Sequence, residues 1–324
     1  MKTILVTGGA GYIGSHAVKM LLKEGYRVIV VDNLSTGHRS AIDPAAKFYQ
    51  TSTHNEETLS ALLEKEAVDA VMHFAAFSLV GESVRVPLKY YQNNVEGTRA
   101  LLNAMIKSNV NTLIFSSTAA VYGVQEHMPI TEASPLNPVN PYGKTKYMIE
   151  QMLEDVSGAY TDFNYASLRY FNVAGAYYDG TIGEKHEPET HLIPNVIKSV
   201  LNPQHPLKVF GTDYPTKDGT AIRDYIHVED LIDAHIKALQ YIDQTQSSLV
   251  VNLGSSDGYS VLDIIKTTEN VLQTSVNYQN HPRRQGDPAV LIASNQKAFQ
   301  VLQWQPKKSL RDMILSVAHY FQSN

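Results

Sequence analysis

The stretch NPYGKTK, Asn140 to Lys146, carries a tyrosine and a lysine four residues apart just after a proline. Pro141 suits the first turn of a helix, so Tyr142 and Lys146 fall at i and i+4 on one helical face. On a solvated face such a pair is ordinary surface. In a closed site an ammonium beside a phenol favours the phenolate. A tyrosine with an unperturbed pKa of about 10 could then take a hydroxyl proton near working pH. Hydroxyls to share the task stand in FSSTAAVYG, where Ser116, Ser117 and Thr118 close an apolar run. Strand-end and helix-cap roles are the alternative for these three.

A second constellation opens the chain. LVTGGAGYIG places Gly8, Gly11 and Gly14 between a β-branched run and a helical pattern, where a dinucleotide pyrophosphate meets helix N-terminal amides. Tight turns also recruit glycine for steric reasons alone. Asp32 ends the next apolar run. Its carboxylate can accept from ribose hydroxyls and would repel a 2′-phosphate, which favours NAD over NADP, and an Asx turn before Asn33 is compatible with that role.

Elements that position these residues follow from periodicity. The runs TILVT, RVIVVD, VDAVMHFAA and TLIFSST alternate with helical patterns near Ile13 to Glu24, near Glu56 to Glu66 and from Pro87, with Gly25 ending the first helix. The runs are apolar throughout, as in strands covered on both faces. This predicts an α/β protein with a Rossmann-type doubly wound parallel sheet. After YASLRYFNVAGA the chain turns to connections rich in proline, glycine and histidine, with helical patterns at 230–242, 261–273 and 310–321. The expected division is an NAD-binding domain over 1–175 and a smaller α/β substrate domain over 176–324, with part of 225–255 returning to the first. There is no internal repeat.

At about 150 residues per domain, 324 residues fit two domains. No cysteine is present, which removes thiolate nucleophiles, disulfides and thiolate zinc sites, and no metal-ligand set is singled out. A formal net charge of −5 gives no basic footprint for nucleic acid or anionic lipid. The apolar run at the start is too short for a signal segment and none reaches bilayer length, so a cytoplasmic protein that does not enter the membrane is expected.

In order along the chain, the glycine turn, Asp32, SST and YGKTK resemble the extended short-chain dehydrogenase/reductase family, with Thr118, Tyr142 and Lys146 at its catalytic positions. HFAAFSLVGES, YYQNNVEGT, RYFNVAGA, ETHLIP, VFGTDYPTKDGTAIRDYIHVEDL and RRQGD extend the resemblance along nearly the whole chain, to the UDP-sugar 4-epimerases of that family. The resemblance implies that Tyr12, Ile13, Asn33, Phe74, Ala75, Asn93, Ser116 and Tyr170 line NAD. It likewise implies that Thr118, Phe171, Asn172, His191, Leu192, Phe210, Arg223, Arg284, Asp287 and Leu291 meet a UDP-sugar, and that the protein is a homodimer. Physical chemistry fits part of this: Arg223 and Arg284 can fork onto diphosphate oxygens, and Asp287 can accept from a ribose hydroxyl. The alternative for Leu291 is packing in a core.

The chain departs from the family pattern after KFYQ. A Gly-Asp pair usually stands there, its aspartate accepting from the adenine amino group, but here Thr51 and Ser52 occupy the positions. Ser52, with Thr53 beside it, is expected to keep a neutral cofactor contact, and Thr53 with Glu56 also has capping-box spacing. Ser78 stands where some members carry a lysine toward the nicotinamide ribose. The implied reaction is proton removal from the sugar 4-hydroxyl by Tyr142 with hydride transfer to NAD, rotation of the 4-keto sugar and hydride return. A dehydratase would need an acid and a base after Thr118, where Ala119 and Ala120 stand. The alternatives are the same reaction on a UDP-N-acetylhexosamine and a non-catalytic protein that senses NAD or serves as a scaffold.

Overall fold

The computed structural model describes residues 1–284 and 287–323; Gln285 and Gly286, inside the RRQGD stretch, and Asn324 lie outside the described residues. In chain order the strands are β1 (Thr3–Thr7), β2 (Arg27–Asp32), β3 (Lys47–Gln50), β4 (Ala70–His73), β5 (Thr112–Thr118), β6 (Asn164–Tyr170), β7 (Asn172–Ala174), β8 (Leu207–Phe210), β9 (Ile222–His227), β10 (Leu249–Leu253), β11 (Gly258–Ser260), β12 (Tyr278–His281) and β13 (Val290–Leu291). The helices are α1 (Tyr12–Lys23), α2 (Glu56–Lys65), α3 (Val80–Arg85), α4 (Pro87–Tyr90), α5 (Gly97–Lys107), α6 (Pro141–Ala159), α7 (Leu192–Leu201), α8 (Val228–Thr245), α9 (Val261–Leu272), α10 (Gln296–Leu302) and α11 (Leu310–Ser323).

The chain divides into two units, the first made of Met1–Gln125, Glu132–Tyr170 and Ile232–Asn252, the second of Glu126–Thr131, Phe171–Leu231 and Leu253–Asn324. Unit one holds a seven-stranded sheet in the order β3-β2-β1-β4-β5-β6-β10. Every position of β1 and of β4 is buried, as the unbroken apolar runs predict for strands covered on both faces. The pairs are parallel, with Leu5 opposite Ile29 and Val71, and Thr118 opposite Tyr170. Against one face pack Leu59 and Leu63 of α2, Leu101 and Met105 of α5, and Ile149 and Leu153 of α6. Each such side chain contributes about 1.5–3 kcal/mol relative to exposure. Gly25, at φ +82°, follows the C-cap of α1 and stops it as expected.

One helix differs from its predicted form. The segment from Pro87 runs through α4 into a π-helical turn, Tyr91–Glu96, before α5 begins. Asn94 in that turn is buried: its Oδ1 accepts from Phe77 N (2.9 Å) and its Nδ2 donates to Phe77 O (3.0 Å) and Thr145 Oγ1 (3.1 Å). The widened turn thus ties the loop after β4 to α6, the kind of place where π turns are found.

Unit two is built on β9, which pairs with β7, β11 and β13. A separate parallel pair joins β8 to β12. Its core draws on Val196 and Ile197 of α7, Ile264 and Ile265 of α9, and Met313, Ile314 and Val317 of α11. Asp224, fully buried in β9, accepts from Ser255 N (2.7 Å), Ser255 Oγ (2.7 Å), Ser256 N (3.2 Å) and Ala293 N (3.0 Å). It fastens the turn before β11 and the end of the β13 segment to the central strand. Among the described residues no helix is long and apolar enough to cross a membrane.

Candidate active site

In unit one the glycine turn, Asp32, Phe74, Thr118 and Tyr170 all lie at or just beyond the carboxyl ends of their strands, and strand order reverses between β1 and β4. Parallel sheets bind ligands at that edge. Gly8 has φ +72°, and a Cβ on Gly14 would fall 2.1 Å from Gly8 O, so neither position accepts a side chain. Gly11 is the N-cap of α1 and supplies no side-chain acceptor. The amides of the first turn, with Tyr12, Ile13 and Gly14, therefore have no side-chain cap, and a pyrophosphate suits them. These features fit a dinucleotide.

Asp32 Oδ2 accepts from Ala10 N (3.0 Å) and Oδ1 from Leu34 N (2.8 Å). The Asx turn exists, and each oxygen keeps a lone pair for a hydroxyl donor. Asn33 Oδ1 accepts from Ser35 N (3.0 Å). The capping-box expectation at Thr53 and Glu56 is corrected: the N-cap of α2 is Asn55, whose side chain accepts from Thr58 N. Thr53 is buried instead, so close to Gly97 that a Cβ there would lie 2.7 Å from Thr53 Oγ1. Ser52 Oγ is paired with His54 Nδ1 (2.8 Å) and accepts from His54 N (3.3 Å). Phe74 stacks on His235 at 5.0 Å between centroids, and Tyr170 lies 6.2 Å from the same ring. Ala75 approaches Gly8, Ser78 is exposed before α3, and Asn93 donates to Asn94 Oδ1 (2.9 Å).

Tyr142 and Lys146 are both buried, which excludes a solvated helix face. Asn140 caps α6 by accepting from Gly143 N (2.8 Å), with Pro141 in the first turn as predicted. Lys146 Nζ donates to Ser116 O (2.7 Å) and stands 4.8 Å from the Phe115 ring centroid. Burial pulls the Lys146 pKa down to about 7, with Glu150 opposing. Burial raises the Tyr142 phenol, and the neighbouring Thr118 hydroxyl pulls the other way. The expected lowering of the tyrosine is thus not produced by the protein groups alone; Lys146 spends a proton on a backbone carbonyl and burial dominates.

Three supporting residues escape a reading by motif. A Cβ on Gly143 would meet Ala120 O at 2.5 Å, so this glycine lets α6 approach the turn after Thr118. A glycine inside a first helical turn is a poor helix former, and that was the available signal. Asn94 gave none. Glu150, one turn beyond Lys146, accepts from Ser117 Oγ (2.5 Å) and from Arg169 Nε (2.9 Å), anchoring β5 and β6 to α6.

In unit two Arg223 and Leu291 are register partners on β9 and β13, and an Arg223 guanidinium nitrogen lies 3.7 Å from Asp287 Oδ1. The Arg284 guanidinium sits 4.2 Å over the Phe210 ring. Asn172 opposes Tyr225 on β7 and follows the buried Phe171. Leu291 is half-buried, which distinguishes it from a core leucine. His191 falls in another cluster, at the N-terminal boundary of α7 before Leu192, with its ring bonded to Glu184.

Residues 4–254 match the NAD dependent epimerase/dehydratase family. The chain is 54% identical over 315 residues to a UDP-glucose 4-epimerase of Lactobacillus helveticus, covering 97% of this chain and 95% of that one. It superposes with TM-score 0.97 and 40% identity on a UDP-glucose-4-epimerase of Stenotrophomonas maltophila solved with NAD and formylated UDP-arabinopyranose, covering 100% of this chain and 98% of that one. A UDP-Glc/GlcNAc 4-epimerase of Campylobacter jejuni matches with TM-score 0.85 and 42% identity over 99% and 98% of the two chains.

Proposed function

The chain belongs to the NAD dependent epimerase/dehydratase family, and on that premise we propose that it is an NAD-dependent UDP-glucose 4-epimerase, interconverting UDP-galactose and UDP-glucose. The observation that carries the reading is the burial of Tyr142 and Lys146 on one face of α6 beside Thr118. A solvated or silent pair would not need Gly143 to bring that face so close.

Bound NAD supplies a reversible hydride acceptor for sugar C4. Gly8, Gly11 and Gly14 admit its pyrophosphate, Asp32 accepts from its adenosine ribose, and Tyr12, Ile13, Asn33, Ser52, Thr53, Phe74, Ala75, Ser78, Asn93, Ser116 and Tyr170 line it. Tyr142 takes the proton of the 4-hydroxyl and gives it back, Thr118 aligns that oxygen, and Lys146 supports the developing phenolate. Arg223 and Arg284 grip the diphosphate and Asp287 the uridine ribose, while Phe171, Asn172, His191, Leu192, Phe210 and Leu291 border the remainder. Because the grip is on the nucleotide, the 4-keto hexose can turn about its phosphate linkage and receive hydride on its other face.

The protein acts in the cytoplasm as a homodimer. Val84, Val86 and Leu88, exposed along α3 and α4, are the kind of apolar surface a second copy covers. Conversion of UDP-galactose to UDP-glucose by purified protein tests the function, and sedimentation tests the assembly; no conversion with NAD bound would sink the activity.

A further inference from the structure

Four ligating side chains converge in unit two on a segment for which the sequence reading named no metal. Donor atoms of Glu184, His186, Glu189 and His191 all lie within 4.8 Å of one another. Glu184 Oε1 faces His191 Nδ1 and, at 3.1 Å, His186 Nδ1. Glu189 Oε1 stands 3.8 Å from His186 Nδ1 and 4.0 Å from His191 Nδ1.

Two further observations point to a ligand. The Glu189 side chain is only 2% exposed, yet its Oε2 is buried without a hydrogen-bond partner among the described residues. Its Oε1, by contrast, is fixed by the amides of Thr190 (2.8 Å) and His191 (2.9 Å), so the orphan oxygen is held in place and not free to swing away. Leaving a buried carboxylate oxygen unmatched is costly unless something positive meets it. The surrounding loop is also tied down, with Asn195 Nδ2 donating to His191 O (2.8 Å) and Glu189 O (3.3 Å). Backing of this kind orients metal ligands.

We propose that Glu184, His186, Glu189 and His191 form a binding site for one divalent transition-metal cation of the zinc and cobalt class. Two carboxylates match the double positive charge, and two imidazoles favour zinc or cobalt over the oxygen-seeking magnesium and calcium. Tetrahedral bonds of about 2.0–2.1 Å set donors about 3.3 Å apart, so the cluster needs only small side-chain shifts to close. The cation fixes Glu184–His191 as one rigid loop at the start of α7. Neither hydride nor proton transfer uses this site, and the residue it shares with the proposed epimerase reading is His191, at the border of the sugar nucleotide.

The test is titration of untagged, NAD-loaded, chelator-treated protein with CoCl₂, followed by visible absorption, then displacement with ZnCl₂. The expected result is one saturable equivalent with tetrahedral cobalt bands, and an affinity at least about tenfold weaker in Glu189→Gln and in His186→Asn. Glu189→Gln keeps an acceptor for the Thr190 and His191 amides, and circular dichroism with NAD content reports whether either variant keeps its fold. A rise in Tm with ZnCl₂ in the unmodified protein is a readout independent of variants. Absence of saturable cobalt binding and of a zinc-dependent Tm rise, or equal cobalt affinity in folded variants, overturns the site.

Discussion

The carbonyl oxygen of Ala120 lies where a side chain on Gly143 would have to go, 2.5 Å from its Cβ position. The contact sits between the turn after Thr118 and the residue beside Tyr142, so it sets the approach of two groups proposed to share one sugar oxygen. Gly143→Ala must push α6 or the turn away. A misplacement of about 1 Å at reacting groups costs about 100-fold in rate. We expect kcat to fall by that order while NAD stays bound; a variant with unchanged kcat would show that the approach is not needed.

Tyr142→Phe fills the same space and cannot exchange the 4-hydroxyl proton. Positioned proton transfer contributes about 10²–10⁴-fold, and the variant should lose at least that much epimerisation. Its NAD content and Tm should stay near those of the unmodified protein. Retained turnover would remove Tyr142 from the chemistry.

Lys146 makes a prediction about stability. Burial depresses its folded pKa to about 7, against about 10.4 in an unfolded chain. Between those values the unfolded state binds more protons, so stability rises with pH across that window for NAD-free protein. Lys146→Met removes the dependence. Urea melts at pH 7 and pH 9 should show the variant's relative advantage shrinking by about 1–2 kcal/mol as pH rises. A constant difference would mean that Lys146 keeps its charge when buried.

Where strands were uniformly apolar and helices were flanked by glycine or proline, the sequence was enough: β1, β2 and β5 have the extents of TILVT, RVIVVD and TLIFSST, and Gly25 ends α1. The face of α6 that carries Tyr142 and Lys146 was legible because proline and spacing fix it. What escaped reading was set by tertiary contact. The turn at Tyr91–Glu96 exists because Asn94 has partners on Phe77 and Thr145, residues remote in sequence. The cap of α2 went to Asn55 because Thr53 is buried, a choice local spacing cannot see. β12 is short and largely exposed and β13 is two residues long, so periodicity marks neither.

By the resemblance, Ser52 stands where a carboxylate would meet adenine, and its hydroxyl is already paired with His54. Ser52→Asp should keep the bond from His54 N and add a charged acceptor. That exchange is worth about 1–2 kcal/mol, or about 5- to 30-fold in NAD affinity. Calorimetry on NAD-free protein measures it. An affinity that stays level or falls would place the adenine elsewhere or assign its amino group to another acceptor.

Leu291 pairs in register with Arg223 and is half-buried, so its side chain borders the groups proposed to hold the diphosphate and does not fill the core. Leucine is shorter than tyrosine and offers no hydrogen bond, so at the proposed sugar border it would leave room for an N-acetyl group beside the hexose. We therefore expect UDP-galactose to be epimerised first and UDP-N-acetylgalactosamine more slowly. Leu291→Tyr should suppress the N-acetylated substrate selectively, by about 10- to 200-fold in kcat/KM, the range a pocket contact of this size commands. Measuring kcat/KM for both sugars in both proteins decides the matter: selective loss makes Leu291 a determinant of substrate breadth, whereas equal losses on the two sugars would mean that the leucine only supports β13 against β9.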